Sequence, residues 1–169
     1  KISTRQGRQY DLDLLRHTLT LAMLLQHYKS TIKNNPICII GDGYANMASV
    51  ILESLPQSKV VLINLAKSLL VDFVCLRKAF PHLKIALVRT RKELEESLFN
   101  EEIRATILVA NDSDILMGCK FSLAINIESM MEMDPPEIER YFNILRSASD
   151  NEMPFYCCNL EKKLFSGGK

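Results

Sequence analysis

Three features of the sequence predict a doubly wound α/β domain, a mainly parallel sheet with helices on both faces. Short apolar runs at 37–40, 59–64, 104–110 and 121–127 show no polar alternation, as expected of strands buried on both sides. Stretches with helical periodicity separate them, which is the pattern of a wound parallel sheet. The first apolar run also leads straight into Gly41-Asp42-Gly43, a tight turn opening a helix.

Taken in order, Asp11 can cap a helix over 11–33, in which Leu12, Leu15, Leu19, Ala22 and Met23 fall at helical spacing and predict the face that packs. That helix is expected on or near the ligand site and to end before Asn34-Asn35-Pro36. A strand at 37–40 is followed by a helix at 45–55, a buried strand at 59–64 and a helix at 68–80 stopped by Pro81. An apolar stretch at 84–88, a charged helix at 92–99 and strands at 104–110 and 121–127 come next. In the helix after Asp134, Asp134 can cap, Pro135 suits the first turn, Glu137 completes a capping box, and Ile138, Tyr141, Phe142 and Leu145 form the apolar stripe. A strand at 154–159 is the last element.

The 169 residues read as a single domain over 1–169, with no repeat and no Gly/Pro-rich linker. Lys and Arg number 21 against 20 Asp and Glu, so a net charge of +1 gives no electrostatic case for nucleic acid. No apolar run approaches the ~18 residues that cross a bilayer, and no membrane span is expected. Cys38, Cys75, Cys119, Cys157 and Cys158 form no Cys-x-x-Cys pair; they predict reduced thiols, a cytoplasmic protein and no metal site. The sequence specifies no oligomeric state, and an absent initial Met suggests a piece of something longer.

Ligands of open parallel sheets bind at the carboxyl ends of strands, near the reversal of strand order. Candidate residues are therefore those that end strands. Gly41-Asp42-Gly43-Tyr44-Ala45-Asn46 leaves a strand and opens a helix, where backbone N–H groups can approach a ligand; the plain alternative is a ligand-free turn. Asn64 can accept a bond from a ribose hydroxyl or cap the next helix. Asn111-Asp112 can bond an adenine amino group or make a turn. The densest polar cluster is Asn126-Ile127-Glu128-Ser129-Met130-Met131-Glu132-Met133, whose bland reading is a solvated Glu132 beside core methionines. His17, His27 and His82 are far apart, and only His17 lies in a segment expected to fold over the site; a surface or core role suits all three. No Ser-His-Asp order, phosphate loop or metal motif is present.

These residues resemble the sugar O-methyltransferase family of the S-adenosylmethionine-dependent, Rossmann-like methyltransferase superfamily, over about residues 7 to 168. Ile40-Gly41-Asp42-Gly43-Tyr44 is similar to its Ile-Gly-x-Gly-Tyr loop and Leu62-Ile63-Asn64-Leu65 to its Ile-Asp-Leu strand end. Residues 124–133 are similar to its Asn-x-x-Ser-Phe-Gln-Glu-Met segment, and Phe155-Tyr156-Cys157-Cys158-Asn159 to its late Tyr-x-x-Asn strand. The chain departs from the pattern at Ile39, Ala45, Asn64 and Leu160, and stops before the antiparallel strand pair that usually ends such domains.

The resemblance implies transfer of a methyl group from S-adenosyl-L-methionine to a hydroxyl of a sugar or glycan acceptor. It implies a cofactor site of Gly41, Asp42, Gly43, Tyr44, Asn64, Leu65, Asn111, Asp112 and Asn126. Glu132 stands where the family has its own Glu and is the expected base; Glu128 is the second carboxylate, expected with Ser129 to bind the acceptor. The alternative, favoured by the departures, is a catalytically degenerate binding or assembly subunit with this fold. A nicotinamide-dependent oxidoreductase is disfavoured, because the 41–46 loop lacks the third glycine of a pyrophosphate turn.

Overall fold

The computed structural model describes residues 1–32, 35–148 and 153–160. Residue 33, where the first helix was expected to end, and the last part of the resembling stretch lie outside them. Among the described residues the sheet has six strands, β1 (Ile37–Ile40), β2 (Val60–Asn64), β3 (Lys84–Leu87), β4 (Ile103–Val109), β5 (Leu123–Ile127) and β6 (Phe155–Cys158). Every pairing is parallel, in the order β3-β4-β2-β1-β5-β6. The fold is therefore the Rossmann-like α/β arrangement that the apolar runs predict.

Alternate side chains along the central strands feed two cores, which is why the runs are apolar throughout. Ile37, Ile39, Val60, Leu62, Leu123 and Ile125 join one core. Cys38, Ile40, Val61, Ile63, Leu108 and Ala124 join the other. The first is covered by α1 (Ile2–Gln6), α2 (Leu12–Tyr28), α3 (Asn46–Ser54) and α4 (Ala66–Ala79). The second is covered by α5 (Arg91–Phe99) and α6 (Pro135–Ser147). β1 lies between β2 and β5, and after β4 the chain returns past β1 to form β5. The carboxyl ends of β1 and β5 thus flank the switch point, where side chains can line a crevice.

Two local expectations are corrected. The stripe Leu12, Leu15, Leu19, Ala22 and Met23 faces outward, with Leu12 81% and Leu19 61% exposed. The buried face is Leu14, His17, Thr20, Leu21 and Leu24, which packs on α3 and the sheet. Helix α2 is apolar on two opposite faces, so periodicity alone fits either orientation. It is capped by Asp11, which accepts from the Leu14 N–H at 2.8 Å, and ends at Tyr28 rather than at 33.

The second correction concerns α6, where no capping box forms. The Asp134 side chain makes no cap bond, and the Glu137 N–H donates to the Asp134 carbonyl at 3.0 Å. Pro135 and Pro136 bring no N–H groups, so little is left for a carboxylate to satisfy. The reciprocal box instead opens α5, where Thr90 accepts from the Glu93 N–H and the Glu93 carboxylate accepts from the Thr90 N–H. Helix α1, within the polar start of the chain, was not anticipated; it docks on α4, Gln6 Nε2 donating to the Cys75 carbonyl at 3.4 Å.

Candidate functional site

At the carboxyl edge of the sheet a cavity of about 450 Å³ opens between the ends of β1, β2 and β4 on one side and the start of α6 on the other. Its size suits a small organic ligand. Gly41, Asn64, Leu65, Asn111, Ser129 and Glu132, singled out from separate parts of the sequence, all line it. Asp42, Gly43, Tyr44, Asp112, Asn126 and Glu128 do not.

Gly41 has φ +70°, and a Cβ built on it would lie 2.2 Å from Ser129 Oγ. The glycine is thus required by Ser129, which packs against the end of β1, whichever ligand enters. Gly43, at φ +54°, faces open space. Tyr44 and Ala45 continue the turn with positive φ, a costly conformation for residues with a side chain.

Two carboxylates hold that turn. Asp42 accepts from the Met47 N–H at 2.9 Å and the Ala48 N–H at 2.8 Å. Asp72, fully buried on α4, accepts from the Ala45 N–H at 2.8 Å and from Asn64 Nδ2 at 2.8 Å. Burial first, and then the neighbouring Asp72, push Asp42 up to about 7. Burial likewise raises Asp72, against the bonds from Asn64 and Ala45. Asn64 is oriented by this network, since its Oδ1 also accepts from the Leu65 N–H at 2.9 Å. Sequence reading passed over Asp72, although a legible signal existed: with Leu69, Leu76 and Ala79 it falls on the buried face of α4.

A second network closes the other side. Asn126 is fully buried, and its amide donates to the Ile40 carbonyl at 2.9 Å and to Ser129 Oγ. Its Oδ1 accepts from Asn159 Nδ2 at 2.9 Å and from the Met130 N–H at 3.3 Å. All four hydrogen-bonding positions of the amide are used, so Asn126 positions the loop around Ser129. Glu128, at φ +59°, lies beyond the cavity, and its carboxylate is held by the Arg16 guanidinium of α2. Asp112 sits 3.8 Å from Arg89, and Tyr44 lies under the Arg8 guanidinium, 4.7 Å from its ring centre. His17 belongs to the buried face of α2, where burial and the adjacent Arg16 depress its pKa.

The wall contributed by α6 went largely unread. Glu137, Arg140 and Tyr141 recur at helical spacing on one face of α6 and line the cavity, with Met133 from the preceding loop beside them. Arg140 is engaged with Asp114 at 2.7 Å, the Asn111 carbonyl at 3.0 Å and Glu137 at 3.6 Å, tying α6 to the turn after β4. Burial pushes the Tyr141 phenol up to about 12, so it stays protonated at neutral pH. Among the described residues no cluster of His, Cys, Asp and Glu could hold a metal ion, and no helix is long and apolar enough to cross a membrane.

No protein-family model matches the sequence, and no curated protein matches it. Among solved structures the chain is similar to a cyclopropane-fatty-acyl-phospholipid synthase-like protein from Lactobacillus casei, at 15% identity and a TM-score of 0.45. That match covers 86% of this chain and 47% of the other, so the chain spans about half that protein's length. The fold assignment stands on the strand order itself.

Proposed function

We propose that the protein binds S-adenosyl-L-methionine in this cavity and transfers its methyl group to a hydroxyl of a sugar or glycan acceptor. The observation that carries the reading is convergence: Gly41, Asn64, Asn111, Ser129 and Glu132 come from four separate sequence segments and meet on one cavity at the switch point. The cavity fits the group in chemistry as well as volume. Ile63, Leu65, Ala110 and Met133 supply apolar surface for a base, while Asn64 and Asn111 supply amides beside it.

When bound, the cofactor supplies an activated methyl group, so the chain's own work is orientation and removal of a proton. In this reading Gly41, Asn64, Leu65 and Asn111 hold the cofactor, and Asn126 and Asn159 position Ser129 at the acceptor side. Glu132 lines the cavity and accepts the hydroxyl proton as the new bond forms. Glu128 stabilises the same edge through Arg16 rather than by touching the acceptor.

Radiolabelled methyl transfer to a panel of mono- and oligosaccharides tests the reading. Glu132→Gln keeps the shape, and transfer should fall ~10²-fold or more while cofactor binding persists. Unchanged turnover by the variant would remove Glu132 from the mechanism. The degenerate-subunit reading is favoured by one observation, the exposed Leu12, Leu15 and Leu19 on α2; cofactor binding without transfer to any acceptor would support it.

A further inference from the structure

Helix α2 turns its leucines in two directions, and only one set is covered. Leu14, Leu21 and Leu24 belong to the core, whereas Leu12, Leu15 and Leu19 leave 81%, 36% and 61% of their surface exposed. With Ala22, also exposed, these outward residues follow a strict three-four-three spacing, 12-15-19-22. That is the seam of a heptad, the period at which one helix receives the side chains of another; a helix that only covers a core shows a wider stripe. The strip is also dented, since Leu12, Leu15, Leu19 and Met23 line a shallow hollow with Arg16 and Thr20. A contiguous apolar strip of this kind marks a contact surface.

Charge decides which helix fits. The acids of the outer face, Asp11 and Asp13, stand at the start of α2, and His27 and Lys29 stand at its end. A second α2 turned antiparallel over its whole length brings each acidic start to a basic end, with the two helix dipoles opposed. In that register Leu19 lies opposite Ala22 of the second copy, the small residue leaving room for the large one, and Arg16 comes beside Met23. A parallel copy would set Asp13 on Asp13 and Lys29 on Lys29. Leu70, Phe73 and Val74 of α4 are exposed as well, but the exposed charges of that helix are Lys67, Arg77 and Lys78, which a second α4 would repel.

We propose that the outer face of α2 is the interface between two copies of this chain, packed antiparallel about a two-fold axis between Leu19 and Ala22. The contact adjoins the candidate site, because Arg16 on its flank holds Glu128, and Ser129 follows. No ligand is needed for the pairing, so it stands apart from the cofactor reading.

Sedimentation equilibrium of the full chain tests it. A helix of 17 residues is about 25 Å long, and two of them bury less than the roughly 800 Å² per partner of a standard interface. The mean mass should therefore rise from that of one chain at ~1 µM toward that of two at ~500 µM. Leu19→Asp places a charge beside the axis and should hold the protein at one copy throughout. Because Leu19 is largely exposed, the variant should melt with the wild type at the low concentration. Wild type that stays at one copy at the high concentration, or a dimer that survives Leu19→Asp, would overturn the proposal; a dimer lost only in Leu70→Asp would place the contact on α4 instead. Orientation is read by oxidative cross-linking. A mixture of Leu19→Cys and Ala22→Cys chains should cross-link well beyond wild type, whose exposed Cys157 sets the background. Cross-linking of Leu12→Cys with itself, which parallel helices alone allow, would overturn the antiparallel arrangement.

Discussion

At Asn64 the amide is divided between two partners, Asp72 receiving its N–H and the Leu65 N–H reaching its oxygen. An aspartate there, which the motif resemblance would favour, places a second carboxylate against a buried one 2.8 Å away. Asn64→Asp should therefore destabilise the protein by about 1–3 kcal/mol rather than improve the site. Thermal unfolding at pH 8, where both acids are pressed to ionise, is the check; equal melting temperatures would refute it. Asp42 gives a second prediction. Its folded pKa, near 7, exceeds the ordinary value of 3.8, so the folded state holds this proton more tightly. The resulting stability is fully present below the unfolded value and is lost as pH rises through 7. The Asp42 contribution should fall as pH rises from about 4 to about 7 and level off above. Because His17, with its lowered pKa, acts in the opposite sense, the check is the difference between wild type and Asp42→Asn, the variant in which that fall should disappear. The turn at Gly41 was legible as a glycine requirement, but its cause was not: the neighbour that forbids a side chain is Ser129, remote in sequence.

Elements were read well where one face alone is apolar, as in α6, and misread where two are. Helix α2 carries Leu12, Leu15 and Leu19 on one side and Leu14, Leu21 and Leu24 on the other, and only the docking on α3 decides between them. Leu21, 2% exposed, should cost about 2–5 kcal/mol when replaced by Ala, whereas Leu19→Ser should change stability by no more than about 0.5 kcal/mol. Chemical denaturation of the two variants measures this directly, and the reverse ranking would place the other face inward. Capping shows the same dependence on backbone detail. Thr90 and Glu93 form the reciprocal box that the sequence pattern assigned to Asp134 and Glu137. Thr90→Ala should lower stability by about 1 kcal/mol, and Asp134→Ala by clearly less.

For the whole molecule, strands buried on both faces announce themselves by composition, so β1, β2, β4 and β5 were legible with small differences at their ends, β6 was read at 154–159, and the half-exposed β3 was legible only as an apolar stretch. Their order was not written in the same way, because β4 enters between β2 and β3 through pairing that no local pattern encodes. The site inherits this division. Strand-end residues such as Asn64, Asn111 and Ser129 were legible because a parallel sheet puts strand ends at the ligand edge. Arg140 and Tyr141 were not, since their place depends on how α6 folds back over that edge. The central claim is that this edge binds an adenosyl cofactor. Calorimetric titration of the full chain with S-adenosylmethionine and S-adenosylhomocysteine, against NAD as control, tests it most directly. One-site binding of the adenosyl compounds with no heat from NAD is predicted, because the N–H groups that a pyrophosphate would need are held by Asp42 and Asp72. Binding of NAD alone, or of none of the three, would contradict the account.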